Sequence, residues 1–307
     1  MLQSLHIKKL AADAGFDLCG ITRCHHMADN EQYFRAWLDE GHQSSLTYLE
    51  RNLDKRFDPR RLVENAQTAV VCAVSYKNPI GAGYPPDFRT KIASYACAED
   101  YHVILKRMLQ AMFTTLKQAN PQLTGRAFVD TAPLLEKQLA VEAGLGWIGR
   151  QSLLVTPRLG SYVVLGELLL TEPVDCYDEP FEGVRCGRCH NCLESCPTDA
   201  ISDVRTIDTT RCISGHTIEQ ASANRPDLDG WIFGCDRCQS CCPYNQKAPV
   251  HTNRSFDPLF DPLRMNVAQW LAMSETEFAL RFGKTPLTRS GLERLKRNVA
   301  CEEGVKK

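Results

Sequence analysis

Hydrophobic positions follow a helical period in several stretches of the chain and run without interruption in others. Residues 5–14 and 31–40 are amphipathic and each is followed by a glycine, which predicts two helices. Residues 69–76 (AVVCAVSY) form a continuous apolar run, typical of a strand in the middle of a sheet. Residues 100–118 carry apolar side chains at helical spacing and predict a longer helix.

One acidic residue lies between a predicted strand and a predicted helix. Asp130 follows directly after a predicted strand and precedes a helical pattern at residues 134–143. One interpretation is a helix N-cap, a position that Asp favours. The other is a carboxylic acid at a strand end, where α/β proteins place their ligands; the pattern alone favours the cap. The predicted strands besides residues 69–76 are 16–19, 92–95, 126–129 and 163–171.

A glycine-rich stretch at residues 144–149 reads GLGWIG and matches the string G-x-G-x-x-G. In a dinucleotide-binding unit these glycines follow a strand and open a helix, so that the helix N-terminus meets the pyrophosphate. Here a predicted helix precedes them and a predicted strand, residues 152–156, follows. The order is reversed, so we expect glycines that cap the helix and allow close backbone packing.

The alternation of helices and strands predicts an α+β or α/β domain over residues 1–173. A cysteine-rich module is expected at 174–250, and a helical segment at 251–307 with one helix at 267–282. Residues 281–307 contain eight Lys or Arg against three Glu. Such a basic end suits an anionic partner, nucleic acid above all, or serves as an ordinary solubilising tail.

The composition of the chain indicates the cellular compartment in which the protein is expected. The chain has 307 residues, a net charge of −1 and fifteen cysteines. Its first ten residues lack the apolar core of a signal peptide, and no stretch approaches the roughly 18 apolar residues of a membrane helix. We therefore expect a cytoplasmic protein without a membrane segment, whose reduced thiols serve metals or redox chemistry. The net charge argues neither for nor against a nucleic-acid partner.

The cysteines between residues 186 and 243 have the spacing of a bacterial ferredoxin. The first run is C-x-x-C-x-x-C-x-x-x-C-P, and the second, after an isolated cysteine, is C-x-x-C-x-x-x-C-P. In the ferredoxin pattern three thiolates of a run hold one [4Fe–4S] cluster and the fourth crosses to the other cluster. The predicted ligands are Cys186, Cys189, Cys192 and Cys242 for the first cluster, and Cys196, Cys212, Cys235 and Cys238 for the second.

Other interpretations explain fewer of these cysteines. The haem-attachment string C-x-x-C-H at residues 186–190 accounts for two of them, and zinc sites have no use for the continuation of each run. Cys241 is a surplus thiol beside Cys242. Cys97 lies where a predicted strand gives way to a helix, so it is a candidate cofactor contact, although a free cysteine is more often a small hydrophobic side chain.

Taken together, these motifs resemble those of the epoxyqueuosine reductases, cobalamin-dependent iron–sulfur enzymes that complete queuosine in tRNA. The resemblance covers nearly all of the chain from Asp54 to Asn298. It is carried by KRFDP (55–59), DYH (100–102), VDTAPLLE (129–136), GLGWIG (144–149), GSYV (160–163), RCIS (211–214), FGCD (233–236) and the cysteine runs.

The resemblance implies a corrinoid-binding α/β domain, similar to that of reductive dehalogenases, followed by a ferredoxin-like module with two [4Fe–4S] clusters. It implies base-off cobalamin, reduced through the clusters by ferredoxin or flavodoxin, and an enzyme acting on the anticodon stem-loop of tRNA carrying epoxyqueuosine. We expect a monomer. Asp130 matches the family's proton donor, which reverses the preference for a cap. Arg56, Ser152 and Ser214 fall in segments that resemble the family's corrin-contacting loops, and Cys97 completes the expected cofactor contacts.

Departures from the family pattern leave two questions. Many members continue into a helical-repeat tail that helps to grip tRNA, and the family's Gly-Lys-Asn turn reads Gly149-Arg150-Gln151 here. The alternative functions are a ferredoxin-type electron-transfer subunit and a corrinoid reductive dehalogenase-like or corrinoid-activating protein.

Overall fold

The computed structural model describes residues 1–219 and 225–304; Lys306 and Lys307 of the predicted basic end lie outside the described residues. The strands are β1 (Leu18–Arg23), β2 (Thr68–Ser75), β3 (Lys91–Ile92), β4 (Gly125–Phe128), β5 (Trp147–Ile148), β6 (Leu154–Val155), β7 (Val163–Leu170) and β8 (Trp231–Phe233). The α-helices are α1 (Ser4–Asp13), α2 (Ala28–Asp39), α3 (Leu53–Phe57), α4 (Tyr101–Ala119), α5 (Glu136–Glu142), α6 (Asn191–Glu194), α7 (Ile213–Ile218), α8 (Arg237–Ser240), α9 (Pro243–Lys247), α10 (Val267–Ala272), α11 (Glu275–Phe282) and α12 (Gly291–Gly304).

A four-stranded sheet organises the first half of the chain. Its strand order is β1-β2-β7-β4, and every neighbouring pair is antiparallel. The α/β alternative is therefore wrong for this sheet, and the α+β alternative describes it. The pattern of apolar residues could not separate the two, because a strand covered on both faces reads as a continuous apolar run whether its neighbours are parallel or antiparallel.

Helices cover both faces of this sheet, which explains why β2 is apolar at nearly every position. Val70, Cys72 and Val74 pack on one face in a core that includes residues of α1 and α4. The alternating residues Ala69, Val71 and Ala73 pack on the other face with residues of α5. All eight residues of β2 are buried. The prediction of a central strand is confirmed, and it rests on side chains that alternate between two covered faces.

The cysteine-rich part is joined to the first half by a second, small sheet. β3 pairs in parallel with β8, and side chains from both strands share an apolar cluster with α10, α11 and α12. The predicted single helix at residues 267–282 is instead two helices, because the side chain of Ser274 caps α11 by accepting from the Glu277 N–H at 3.2 Å. The predicted strand at residues 92–95 ends early and passes into a 3-10 turn, Ser94–Cys97.

The glycine-rich stretch occurs in the reversed order expected from the sequence. α5 ends just before Gly144, which adopts φ +76°, and the hairpin of β5 and β6 follows. A Cβ atom at Gly146 would lie 2.2 Å from the carbonyl oxygen of Val155. The glycines therefore end a helix and permit close strand packing. None of the helices in the described ranges is long and apolar enough to cross a bilayer.

Candidate active site

Eight cysteines lie around two separate cavities, four at each. The cavities measure about 300 Å³ at what we call the first thiol site and about 330 Å³ at the second thiol site. The four thiols of each set line the wall of one of these spaces. The first thiol site has Cys186, Cys189, Cys192 and Cys242, and the second has Cys196, Cys212, Cys235 and Cys238. This is the grouping expected from the spacing.

Short helices begin at one cysteine of each site. Cys212 is the N-cap residue of α7 and Cys242 that of α9. Burial raises the pKa of both thiols, while main-chain N–H groups of the following helical turn donate to each sulfur and oppose that rise. These N–H groups favour the thiolate, which is the form that binds iron. The chemistry of both donor sets thus fits iron–sulfur clusters.

The second thiol site lies against the antiparallel sheet domain. Tyr76, Tyr95 and Ser161 from that domain line its cavity together with Gln239 from α8. The Ser161 hydroxyl donates to Gln239 Oε1 at 3.0 Å, and Gln239 Nε2 donates to the Tyr76 hydroxyl at 3.2 Å. This buried polar network fixes the thiol site relative to the sheet.

A third and larger cavity, which we call the acid cavity, measures about 760 Å³. Tyr95 lines both this cavity and that of the second thiol site, so the two adjoin. The acid cavity lies beyond the C-terminal end of β4 and at the start of α4. Its ionisable lining groups include Tyr48, Tyr101, His102, Asp130, Glu219 and Arg289.

Asp130 presents its carboxylate to the acid cavity and is not a helix cap. α5 begins six residues later, with Leu135 in the N-cap position, so the cap interpretation is wrong. Asp130 adopts φ +45°, its side chain is half exposed, and its Oδ2 lies 3.8 Å from His102 Nε2. The hydroxyl of Tyr101 donates to the same oxygen in a short hydrogen bond. A solvent-accessible carboxylic acid held by neighbouring donors can deliver a proton to a bound substrate.

Two further carboxyl groups lie behind Asp130. Its main-chain N–H donates to Glu136 Oε1 at 2.6 Å. Glu167, on β7 opposite Phe128 of β4, is fully buried. Burial, followed by the nearby Asp130, raises the pKa of Glu136 to about 8; burial and Glu136 raise the pKa of Glu167 well above its ordinary range. Sequence analysis missed the contact between these two groups, since it depends on strand pairing.

The lining of the acid cavity also contains an ion pair. Arg289, in the segment before α12, donates to Glu219 at 2.7 Å. Burial, and then the charge of Glu219, raises the pKa of Tyr48 to about 12. The predicted basic end is thus partly engaged within the protein: Arg289 bonds Glu219, and Arg281 bonds Glu277 at 3.0 Å.

The expected corrin contacts fall in different surroundings. Ser214 lines the second thiol site. Ser152 adopts φ +58° and its hydroxyl donates to the Arg205 carbonyl. The adjacent Gln151 lines both thiol sites, and its buried Nε2 has no hydrogen-bond partner among the described residues. Sequence analysis considered this turn but did not select Gln151.

The other two expected corrin contacts, Cys97 and Arg56, line neither thiol site and do not line the acid cavity. Cys97 is fully buried in the apolar cluster around β3 and β8 and lines neither the acid cavity nor the second thiol site. Its position fits a small hydrophobic side chain, and a cofactor contact at Cys97 stays a prediction. Arg56 is buried in α3 beside the Phe34 ring, at 5.3 Å, and its Nε has no hydrogen-bond partner within the described ranges.

Comparison with known proteins identifies the cysteine module. The model of the "4Fe-4S double cluster binding domain" matches residues 185–245, the segment that contains both thiol sites. Together with the adjoining acid cavity, this match defines the class of the protein as an iron–sulfur oxidoreductase.

The family follows from the rest of the chain. The model "Epoxyqueuosine reductase QueG, DUF1730" matches residues 56–131. An epoxyqueuosine reductase from Cyclobacterium marinum is 37% identical over 303 residues, which cover 95% of this chain and 94% of that protein. The chain belongs to the epoxyqueuosine reductase family.

Solved structures have the same fold. A crystal structure of epoxyqueuosine reductase with an epoxyqueuosine-modified stem loop of tyrosine tRNA superposes with a TM-score of 0.86 at 27% identity. The match covers 97% of this chain and 80% of that one. An epoxyqueuosine reductase structure from Bacillus subtilis, with its catalytic aspartate loop swung out of the active site, matches with a TM-score of 0.86 at 25% identity, covering 97% and 80%.

Proposed function

We propose that this protein reduces epoxyqueuosine to queuosine at the wobble position of tRNA, with Asp130 as the proton donor. The observation that carries the proposal is the position of Asp130, in a cavity of about 760 Å³ that adjoins the second thiol site through Tyr95. An acid and an electron-transfer site on one substrate-sized cavity suit a reaction that adds electrons and protons together. The membership in the family supports the substrate.

The reaction replaces the epoxide by a carbon–carbon double bond and releases the oxygen as water, so it needs two electrons and two protons. When bound, two [4Fe–4S] clusters and base-off cobalamin would supply the electrons one at a time to the epoxide-bearing ring. Asp130 would protonate the departing oxygen, which is a poor leaving group unless it receives a proton. The Tyr101 hydroxyl orients the Asp130 carboxyl by donating to its Oδ2.

The residues around the two thiol sites offer ligands for the clusters and polar contacts for the corrin ring. Cys186, Cys189, Cys192 and Cys242 would hold the first cluster, and Cys196, Cys212, Cys235 and Cys238 the second. The corrin ring would lie between the second thiol site and Asp130, where Ser214 and Gln151 offer polar groups. The unpartnered Nε2 of Gln151, buried at this position, is a donor that a corrin amide could satisfy. Arg56 and Ser152 remain predicted corrin contacts.

Electrons would enter at the first thiol site. Its lining has three cationic side chains, Arg150, Arg185 and Lys247, and no carboxylate among the described residues. Arg150 pairs with Asp203, which leaves Arg185 and Lys247 to face a partner. Acidic electron carriers such as ferredoxin or flavodoxin suit such a surface. That the protein acts as a monomer in the cytoplasm, and that its domains divide at residues 173 and 250, remain predictions.

The decisive experiment offers an epoxyqueuosine-containing anticodon stem-loop to the anaerobically reconstituted protein with cobalamin and a strong reductant. Mass spectrometry should show the loss of one oxygen atom from the modified base. Asp130→Asn should retain cobalamin and lose nearly all turnover, because an amide is far too weak an acid to protonate the departing oxygen. Asp13→Asn, at an exposed position on α1, is the matched control and should behave as the wild type.

Either of two results would contradict the proposal. Full turnover in Asp130→Asn would remove this residue from the mechanism. A wild-type protein that holds iron but retains no corrinoid and leaves the stem-loop unchanged would fit an electron-transfer subunit instead.

A further inference from the structure

We propose that Glu136 and Glu167 form a proton-sharing pair that holds the Asp130 loop in its reactive position. Both are positioning residues, since they act on the substrate only through Asp130. The inference rests on the proposed function for its effect on turnover. Its structural part, a loop held by a buried carboxyl pair, can be tested without substrate.

The Asp130 loop is a turn that needs to be held. Asp130 has φ +45°, a conformation that costs energy for a residue other than glycine. The Thr131 N–H donates to the Val129 carbonyl at 2.5 Å, which closes a three-residue turn with Asp130 at its apex. Such turns persist only where surrounding contacts fix them. A catalytic side chain at this apex depends on those contacts for its direction.

The contact that fixes the main chain at the apex comes from Glu136. Its Oε1 accepts the Asp130 N–H at 2.6 Å. Glu136 is the first residue of α5, so its backbone belongs to a regular helix that packs on the sheet. The side chain therefore ties the apex of the turn to a fixed element. An ionised or hydrogen-bonded carboxyl oxygen is a stronger acceptor than a neutral one.

Glu167 is the buried partner of Glu136. It lies in β7, next to the edge strand that leads to Asp130, and none of its surface is exposed. It lies on the face of β7 that also carries Leu165 and Leu169, which pack with residues of α5, so its carboxyl faces the helix that begins at Glu136. Neither oxygen of Glu167 has a hydrogen-bond partner in the described part of the chain. A buried carboxylate without donors is costly. The stable arrangement has Glu167 protonated and donating to Glu136.

The charges around the pair set the pH at which this arrangement ends. Two neighbouring carboxyls in a dry site do not both ionise near neutral pH, and the raised pKa of Glu136, about 8, agrees. Once both protons have left, mutual repulsion weakens the contact to Asp130, and the pKa of Glu167, which burial and Glu136 raise well above its ordinary range, places that loss on the alkaline side of neutral pH. The ionisable groups that face the pair from the packed elements are Asp130, Lys137, Arg56, Tyr101 and Cys72.

A relative has this loop in a different place. In the Bacillus subtilis structure the catalytic aspartate loop is swung out of the active site. In the present structure Asp130 lines the acid cavity and accepts from Tyr101. The two structures thus differ in the position of the catalytic loop.

Hydrogen–deuterium exchange of the reconstituted protein tests the structural part. In Glu136→Ala the Asp130 amide loses its acceptor, so the peptide that contains it should exchange at least about tenfold faster at pH 7. Glu136→Gln keeps an acceptor oxygen and should restore protection. Glu142→Gln is the matched control, because it lies on the same helix and bonds His25 at 3.0 Å instead. Unchanged protection in Glu136→Ala would overturn the proposal.

Turnover of the stem-loop tests the functional part. Wild-type kcat should fall on the alkaline side of neutral pH, and Glu167→Gln should move this fall to higher pH, because the amide cannot ionise. Glu136→Ala should lower kcat about tenfold or more with KM for the stem-loop unchanged. An alkaline limb that is the same in Glu167→Gln and in the Glu142→Gln control would refute the pair. If the wild type does not convert the stem-loop, the proposed function fails, while the exchange result still decides the loop contact.

Discussion

The assignment of Cys242, and not its neighbour Cys241, to the first cluster leads to a sharp prediction. Cys242 lines the first thiol site, whereas Cys241 lines neither thiol site and its Sγ donates to the Cys238 carbonyl at 3.6 Å. Cys242→Ala removes one of four ligands from the first site and leaves the second site complete. The iron content should therefore fall from about eight to about four per chain.

Cys241→Ala is the matched control, since it changes the adjacent residue to the same side chain. It should keep about eight irons per chain, because neither ligand set loses a member. The assay is iron and acid-labile sulfide analysis after anaerobic reconstitution, with electron paramagnetic resonance of the reduced protein to count the clusters. Cys242→Ala should give the signal of one isolated cluster, and the wild type that of two interacting clusters.

The opposite pattern would refute the reasoning. If Cys241→Ala lost four irons while Cys242→Ala kept eight, the chain would use the other cysteine and the helix N-cap geometry of Cys242 would have no role in ligation. Loss of all iron in Cys242→Ala would show that the second site depends on the first for folding.

Four further outcomes follow from the same geometry. Arg185→Glu with Lys247→Glu should slow reduction by ferredoxin or flavodoxin at low salt about tenfold, with reduction by dithionite unchanged in stopped-flow traces. Tyr101→Phe should lower turnover about tenfold, the value of one hydrogen bond to a charged group, at wild-type iron content. Leu105→Ala, in the fully buried core, should cost about 2–5 kcal/mol in denaturant unfolding. Glu167 keeps its proton to higher pH in the folded chain than in the unfolded chain. The free energy of unfolding of the wild type should therefore decrease as the pH rises above about 4.3, the ordinary pKa of Glu. The Tm of Glu167→Gln relative to that of the wild type should increase from pH 5 to pH 8.

The parts of the site that local spacing determines could be predicted from the sequence. The eight cysteines group as their spacing indicated, since ligands two or three residues apart must surround one site. The strand that ends before Asp130 was also expected, because its apolar pattern is local. The prediction from sequence pattern alone of an N-cap at Asp130 failed, since the turn between β4 and α5 is longer than the polar pattern indicated.

Features that depend on distant pairing could not be predicted. The antiparallel order of the sheet places β7 between β2 and β4, and no local signal fixes that order. The contact of Glu136 with Glu167 exists only because β7 pairs with β4. Gln151 likewise lies at both thiol sites only because the glycine turn folds against the cysteine module.

The parallel pairing of β3 with β8 has a consequence for electron flow. Because this pair and the helices packed on it share one apolar cluster, β8 of the iron-binding module cannot separate from β3 without breaking a buried core. Electron-tunnelling rates fall exponentially with the distance between redox centres. A fixed pairing of β3 with β8 would therefore keep the rate of each electron transfer the same from one turnover to the next.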